Sequence, residues 1–399
     1  MSEFCDSLRP ARPAGDVAIA SLAARSDNLL MGLRVLIVPD KFKGTLTAQQ
    51  AAEAMARGWR ATRAGDTVEL LPMSDGGDGF GVVLGDLLGA AVRVTKTGDA
   101  AHRPLLAEWW WEPKSATAIV EAARINGLAP LPRGKYHPFE LDTHGLGAVL
   151  REAASFGARR CIMGIGGSAT NDGGFGVARA MGWEFLNAHD VPLERWTELH
   201  SLTQIKIPAR ERWFDEFSVA VDVNNPLLGP AGCTRVYGPQ KGLQASDFEF
   251  AERCLGTLAT VAQQELHLAT ATEPGTGAAG GLGFGLRTFL GARLEPGFAL
   301  FAQLAGLASR MEQADLVLTG EGAIDDQTLM GKGVGELAQL CRRLNKRCLG
   351  LAGVVTDERR ARALFTDVHA MTSVTTADDA QANAASWLEE IARRAARAV

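Results

Sequence analysis

The chain has 399 residues, 46% of them hydrophobic and 22% charged, with a net charge of -5 and a pI near 5.9. That balance excludes the basic face a nucleic-acid partner needs, and no apolar run approaches the ~18 residues of a membrane span. The six cysteines, Cys5, Cys161, Cys233, Cys254, Cys341 and Cys348, form no CxxC pair, which predicts free, mostly buried thiols and a reducing cytoplasm.

Residues 1–31 mix charges without periodicity and lack a signal-peptide core. They are expected to be a disordered extension, with Met31 as good a start of translation as Met1. Residues 33–38 (LRVLIV) form a near-continuous apolar run, the mark of a buried parallel strand. Thr47 and Gln50 make a capping-box pair, and Ala51, Ala52, Met55 and Trp59 follow at helical spacing. A second strand over 68–72 ends in the polar loop 74–79, and a short helix follows. Strands are expected at 92–95, 105–111 and 118–121. The aromatic run Trp109, Trp110, Trp111 reads as a half-buried strand and not as a base-stacking platform.

The stretch 161–176 (CIMGIGGSATNDGGFG) organises the middle of the chain. An apolar strand leads into a glycine-rich turn and then into helical sequence. Gly166 and Gly167 lack a Cβ and let a ligand approach the backbone closely. Ser168, Thr170, Asn171 and Asp172 surround them with polar groups. Such a turn can aim backbone N–H groups at an anion. A helix over 143–157 feeds this strand. A further strand at 218–223 ends in Asp222, Asn224 and Asn225. A loop over 238–242 is expected to lead to a helix at 248–268. The last hundred residues return to the opening pattern: a helix at 296–311, a strand at 314–319 ending in Gly320, Glu321 and Asp325, a helix at 331–344 with Lys332, a strand at 347–353 and a terminal amphipathic helix.

No GxxxxGK[ST] loop, protein-kinase signature or GxSxG elbow occurs. Gly275, Gly277 and Gly280 spell GxGxxG, but no strand is expected before them and the following residues are too glycine-rich for a helix start. What repeats is a strand followed by a glycine-rich loop bearing Asp, Asn, Glu or Lys. It occurs at Asp40 with Lys41 and Lys43, at Asp75 with Asp78, at Ser168 with Asn171 and Asp172, at Asp222, and at Glu321 with Asp325. Hard oxygen ligands without His or Cys select Mg²⁺ over zinc. Carboxylates, lysines and bare glycines are the parts of phosphoryl transfer.

Seven segments, in collinear order, resemble the bacterial glycerate kinase family. They are PDKFKGTLTA (39–48), DGGDG (75–79), IGGSATNDGG (165–174), DVNNPLLG (222–229), YGPQKG (237–242), GAAGGLG (277–283) and LTGEGAIDDQTLMGKG (318–333). The resemblance implies ATP- and Mg²⁺-dependent phosphorylation of D-glycerate, usually to 2-phosphoglycerate, by a monomer or homodimer. It also implies an α/β fold of two domains with the active site between them. We expect a discontinuous Rossmann- or flavodoxin-like parallel-sheet domain (32–80 and 290–399) and a second α/β domain inserted at 81–289. The loops 74–79 and 320–325 should then lie close in space. Asp172 is expected to act as base, with Lys43 and Asp75 as its catalytic neighbours. Gly166, Gly167, Ser168, Asn171, Lys241 and Gly277 are expected on the nucleotide, and Asp222, Glu321 and Asp325 on the metal. The family pattern usually has Glu at Asp78 and Arg at Ala323. Two rivals stand beside this reading: a nicotinamide-dependent hydroxy-acid oxidoreductase, resting on GTGAAG, and a non-catalytic carboxylic-acid sensor.

Overall fold

The structure is a computed structural model that describes residues 32–330 and 332–399. The extension expected to be disordered, 1–31, lies outside them. In chain order the strands are β1 (Arg34–Pro39), β2 (Thr67–Leu70), β3 (Ala91–Gly98), β4 (Pro104–Glu112), β5 (Thr117–Glu121), β6 (Arg160–Gly164), β7 (Glu184–Asn187), β8 (Leu202–Lys206), β9 (Glu216–Val221), β10 (Arg293–Pro296), β11 (Leu316–Ile324), β12 (Arg347–Val355) and β13 (Asp367–Ala370). The helices used below are α1 (Ala48–Arg60), α2 (Phe80–Leu88), α3 (Phe175–Ala180), α4 (Cys233–Lys241), α5 (Phe248–Leu266), α6 (Ala278–Phe289), α7 (Gly297–Leu304), α8 (Leu307–Gln313), α9 (Asp326–Leu329), α10 (Val334–Arg343) and α11 (Ala384–Ala398).

Five strands form a wholly parallel sheet in the order β13-β12-β11-β1-β2. The fold is therefore α/β, as expected. Along β1, Val35 and Ile37 face one apolar cluster, where α1 and α11 pack, while Leu36 and Val38 face another. Burial on both faces is why this strand reads as an unbroken apolar run. The capping box of α1 is present: Gln50 N–H donates to Thr47 Oγ1 at 3.2 Å, and Thr47 N–H to Gln50 Oε1 at 3.0 Å. The strand order reverses between β1 and β11, so their following loops diverge and leave a crevice at the carboxyl ends.

A second, mixed sheet runs β10-β9-β6-β5-β4-β3, parallel from β10 to β5 and antiparallel at β4 and β3. Trp109 and Trp110 are both buried and point into different clusters, the first within this unit and the second between the sheets. The cluster between the sheets joins Leu36 and Val38 of β1 to Ile119, Ile162 and Ala220 of the second sheet. We propose that the inserted unit runs from α2 through β10. β10 pairs with β9, which moves the second boundary from 290 to about Gly297.

Four local expectations need correction. Residues 238–241 are not loop but the last turn of α4, which tolerates Pro239 near its end and stops at Gly242, where φ is +109°. The helix expected over 296–311 breaks at Gly306 (φ +57°) into α7 and α8. The antiparallel pair β7–β8 and the short edge strands β10 and β13 were not foreseen. The glycine-rich stretch just after 277 is not regular helix, since Ala279, Gly280 and Gly281 have φ of +56°, +70° and +83°; the helical turns that follow it to Phe289 were not foreseen. A Cβ on Gly280 would stand 1.9 Å from Thr170 O, and one on Gly285 would stand 2.6 Å from Gly174 Cα. These glycines let the kinked start of α6 lie backbone to backbone on the 170–174 turn, and at Gly280 the φ of +70° itself favours glycine.

Candidate active site

The crevice at the carboxyl ends of the parallel sheet collects the loops after β1, β2 and β11. Asp40 N–H donates to Gly320 O at 2.9 Å, and Met73 N–H to Pro39 O at 2.9 Å. The loops 74–79 and 320–325 thus flank the end of β1. Lys41 Nζ lies 3.8 Å from Asp40 Oδ1 and 3.9 Å from Asp75 Oδ1. Burial alone would lower the Lys41 pKa, but Asp40, Asp75, Asp78 and Asp222 together raise it. Burial pushes the Asp40 carboxyl up to about 6, against the pull of Lys41 and with Asp75 adding to the rise. Burial likewise pushes Glu321 up to about 8; Thr328 Oγ1, donating to Glu321 Oε1 at 2.7 Å, opposes that, and Asp40, Asp325 and Asp75 reinforce it. Asp222, at the end of β9 in the second sheet, is raised by its surroundings and by Asp75, and held back by Lys332 and Lys41. Glu336 is raised by burial and again by Asp75. Asp75 acts on every one of these groups, so it stands at the centre of an acidic cluster drawn from both sheets. Burial leads each of these rises and the neighbouring carboxylates add to it, the pattern of a functional crevice.

The loop carrying Asp75 is docked on the second sheet. Gly76 O accepts from Gly166 N–H at 3.0 Å, and a Cβ on Gly76 would meet Ala220 at 3.0 Å. Beneath the glycine-rich turn lies fully buried Lys241, donating to Ser168 Oγ at 2.9 Å and to Thr170 O at 2.7 Å.

The model of the glycerate kinase family matches residues 35–399. A protein of Halalkalibacterium halodurans named glycerate kinase is 35% identical over 372 residues, 91% of this chain and 97% of that one. One of Escherichia coli named glycerate 2-kinase is 33% identical over 330 residues, 82% of this chain and 86% of that one. The crystal structure of a putative glycerate kinase 2 from Salmonella typhimurium superposes with a TM-score of 0.79 at 30% identity, covering 92% of this chain and 98% of that one. The chain belongs to the glycerate kinase family.

Within that family frame, the residues singled out from sequence divide into two groups. Asp75, Asp222 and Glu321 come together in the acidic crevice. The others lie elsewhere or are otherwise engaged. Asp172, expected as base, is fully buried. Its Oδ2 accepts from Thr143 N–H (2.9 Å), Thr143 Oγ1 (2.7 Å) and Gly176 N–H (2.9 Å), and its Oδ1 from Gly174 N–H (3.2 Å). With four donors and full burial, this carboxylate is engaged in capping α3 and pinning the turn, which speaks against the expected role as base. Lys43 is exposed, and the raised carboxyls owe nothing to it. Its neighbour Lys41 holds the place expected for it. Gly166 N–H is spent on Gly76 O, so the expected phosphate cradle reduces to Gly167, at φ +77°, and Ser168. Buried Asn171 donates to Thr234 Oγ1 at 3.1 Å, inside the turn. Gly277 lies where a Cβ would stand 2.2 Å from Pro226 O, a packing role. Asp325 caps α9, accepting from Gln327 N–H at 2.8 Å. Asp222, Glu321 and Asp325 do not form a closed ligand set: among the described residues no three His, Cys, Asp or Glu stand close enough to hold a metal. No strand leads into Gly275, so its GxGxxG is not a dinucleotide fingerprint. The five described cysteines are free and buried.

Sequence reasoning placed Asp40 and Lys41 in the right loop but passed over them. Lys332 stood in the segment 318–333 but was given no role, and Glu336 carried no signal beyond its charge.

Lys241 sets a pH dependence. Burial lowers its pKa from 10.5 to about 8, with Cys233 and Asp172 opposing. Between those values the unfolded chain holds the proton more tightly than the native protein, so native stability rises with pH. The melting midpoint of the wild type relative to Lys241→Met should therefore climb between pH 8 and 10, by up to about 3 kcal/mol in stability. A constant difference across that range would show that Lys241 keeps its charge.

Proposed function

We propose that the protein is a glycerate kinase that transfers the γ-phosphoryl group of ATP to a hydroxyl of D-glycerate, at position 2 in preference to position 3. The observation that carries the reading is Lys41 set among Asp40, Asp75, Asp78 and Asp222 where loops of both sheets meet. The name of the Escherichia coli relative supports position 2. Asp40, at about 6, is ionised at neutral pH and basic enough to accept the hydroxyl proton. As the glycerate oxygen bonds to the γ-phosphorus, the bond to the ADP oxygen breaks and the proton passes to Asp40. Lys41 offsets the charge gathering on the transferring group.

The donor set fits Mg²⁺: hard carboxylate oxygens, with carboxyls raised first by burial and further by one another. Mg²⁺ needs only one or two carboxylates beside phosphate oxygens and water, and Asp222 and Glu321 would supply them. When bound, the ion neutralises the β- and γ-phosphate oxygens. No described helix is long and apolar enough to cross a membrane; we propose a cytoplasmic enzyme, monomer or homodimer.

The test is purified protein with D-glycerate, ATP and Mg²⁺, reading ADP release and the product by phosphorus NMR. One ADP per 2-phosphoglycerate is expected. Tight NAD(H) binding without ATP consumption would favour the oxidoreductase. Glycerate binding without turnover would favour a sensor, whose hint is Ala323 where the family pattern usually has Arg.

A further inference from the structure

Glu121 is the last residue of β5, a five-residue strand with every position buried. The residue is 4% exposed. A carboxylate so placed must be satisfied by donors. Oε1 accepts from Gly79 N–H and Oε2 from Gly81 N–H, both at 3.0 Å. These amides belong to the first turn of α2. That helix begins at Gly79 with φ +89° and has no cap from its own sequence. Glu121 therefore caps it from another strand, and its charge suits the positive end of the helix dipole. Arg124 Nε, 3.4 Å from Oε2, adds a counter-charge, and the Arg124 guanidinium lies 5.1 Å from the centre of the Trp110 ring. Gly81 rests on that same ring: a Cβ there would meet it at 2.0 Å. The helix thus cannot shift away from Trp110 without losing Glu121.

The loop before α2 bears Asp75 and Asp78. It is fastened at three points: Met73 N–H to Pro39 O on the first sheet, Gly76 O to Gly166 N–H after β6, and Gly79 and Gly81 to Glu121 on β5. Glu121 pairs in register with Gly164, the last residue of β6, so the second and third fastenings sit on adjacent strands. We infer that Glu121 is a positioning residue for phosphoryl transfer, holding the Asp75–Asp78 loop of the acidic cluster in place against the second sheet. Its carboxylate also occupies the N-terminus of the helix that follows the loop, which would otherwise attract an anion. The inference rests on the kinase reading of the crevice.

The experiment uses the full-length protein and three variants. Glu121→Gln keeps the shape but turns an N–H donor toward one of the two amides. Glu121→Ala leaves both amides without a partner. Glu108→Gln alters the other carboxylate paired with Arg124 and touches neither amide. Glu121→Gln should lower kcat about 10- to 100-fold, the scale of a small misplacement of catalytic groups, with the ATP KM changed less than about threefold. Amide exchange over residues 79–82 should quicken, and the melting midpoint should stay within a few degrees. Glu121→Ala should lose more activity, and Glu108→Gln should match the wild type. Faster exchange with unchanged kcat would overturn the positioning role and leave only a cap. A kcat loss that disappears when the assay is cooled well below the melting range would overturn it too, as an effect of stability alone. If the wild type phosphorylates no glycerate, the kinase reading fails and the positioning role falls with it, while quickened exchange in Glu121→Gln would still mark the fastening.

Discussion

Asp172→Ala is expected to lower the melting midpoint on the order of 10 °C. The substitution removes the acceptor of three backbone N–H groups, Thr143, Gly174 and Gly176, and of the Thr143 hydroxyl. All lie in a fully buried setting where water cannot replace the carboxylate. Each orphaned donor costs about 1–3 kcal/mol, and the sum is a large part of the stability of an ordinary domain. Asp172→Asn should be milder. Its amide oxygen can keep the three donors at the Oδ2 position, and its NH₂ then opposes only Gly174 N–H. A loss of about 1–3 kcal/mol follows. Measuring kcat with the melting midpoint separates the two roles of this residue. An Asp172→Asn protein of unchanged stability whose kcat falls about 10³-fold would return the base to Asp172 and remove it from Asp40.

The fold was legible where one signal dominated. Strands β1, β6, β9 and β11 are buried on both faces, and their apolar runs show it. The capping box of α1 is local chemistry and appears in the structure as read. β7 and β8 were not visible, because short half-exposed strands paired across a long connection carry little periodicity. α4 was missed because its Gly238 and Pro239 are loop residues by propensity, while its helical state rests on burial of Cys233, Thr234 and Lys241.

The site was legible as a set of loops and not as a set of side chains. Sequence places Asp172 in a polar glycine-rich turn, which is correct. It does not show that Thr143, 29 residues earlier, fills the carboxylate with donors. Nor does it tell Lys41 from Lys43, since both stand in PDKFKG and only the fold decides which of them faces Asp75. Glu121 did carry a signal: a charge ending an otherwise apolar buried strand demands a partner.

That last ambiguity gives the sharpest test of the crevice. Lys41→Met is expected to lower kcat/KM by about 10²- to 10³-fold, the range seen when one preorganised charge-stabilising group is removed. Lys41 is the cation nearest Asp40 and Asp75, at 3.8 and 3.9 Å, and its charge is also felt by Asp222. Without it Asp40 and Asp75 lose their nearest counter-charge, and Lys332 is left to oppose the carboxylates at Asp222. Asp40 should then hold its proton to higher pH, because the attraction that opposes its rise is gone. The acid limb of the pH–rate profile should move upward in the variant, an effect no general loss of folding would produce. Lys43→Met should change activity little, since that side chain is exposed. The reverse pattern, with Lys43→Met inactive and Lys41→Met near normal, would show that substrate phosphate approaches from the outer side of the loop. The cluster centred on Asp75 would then be a structural feature and not the catalytic one.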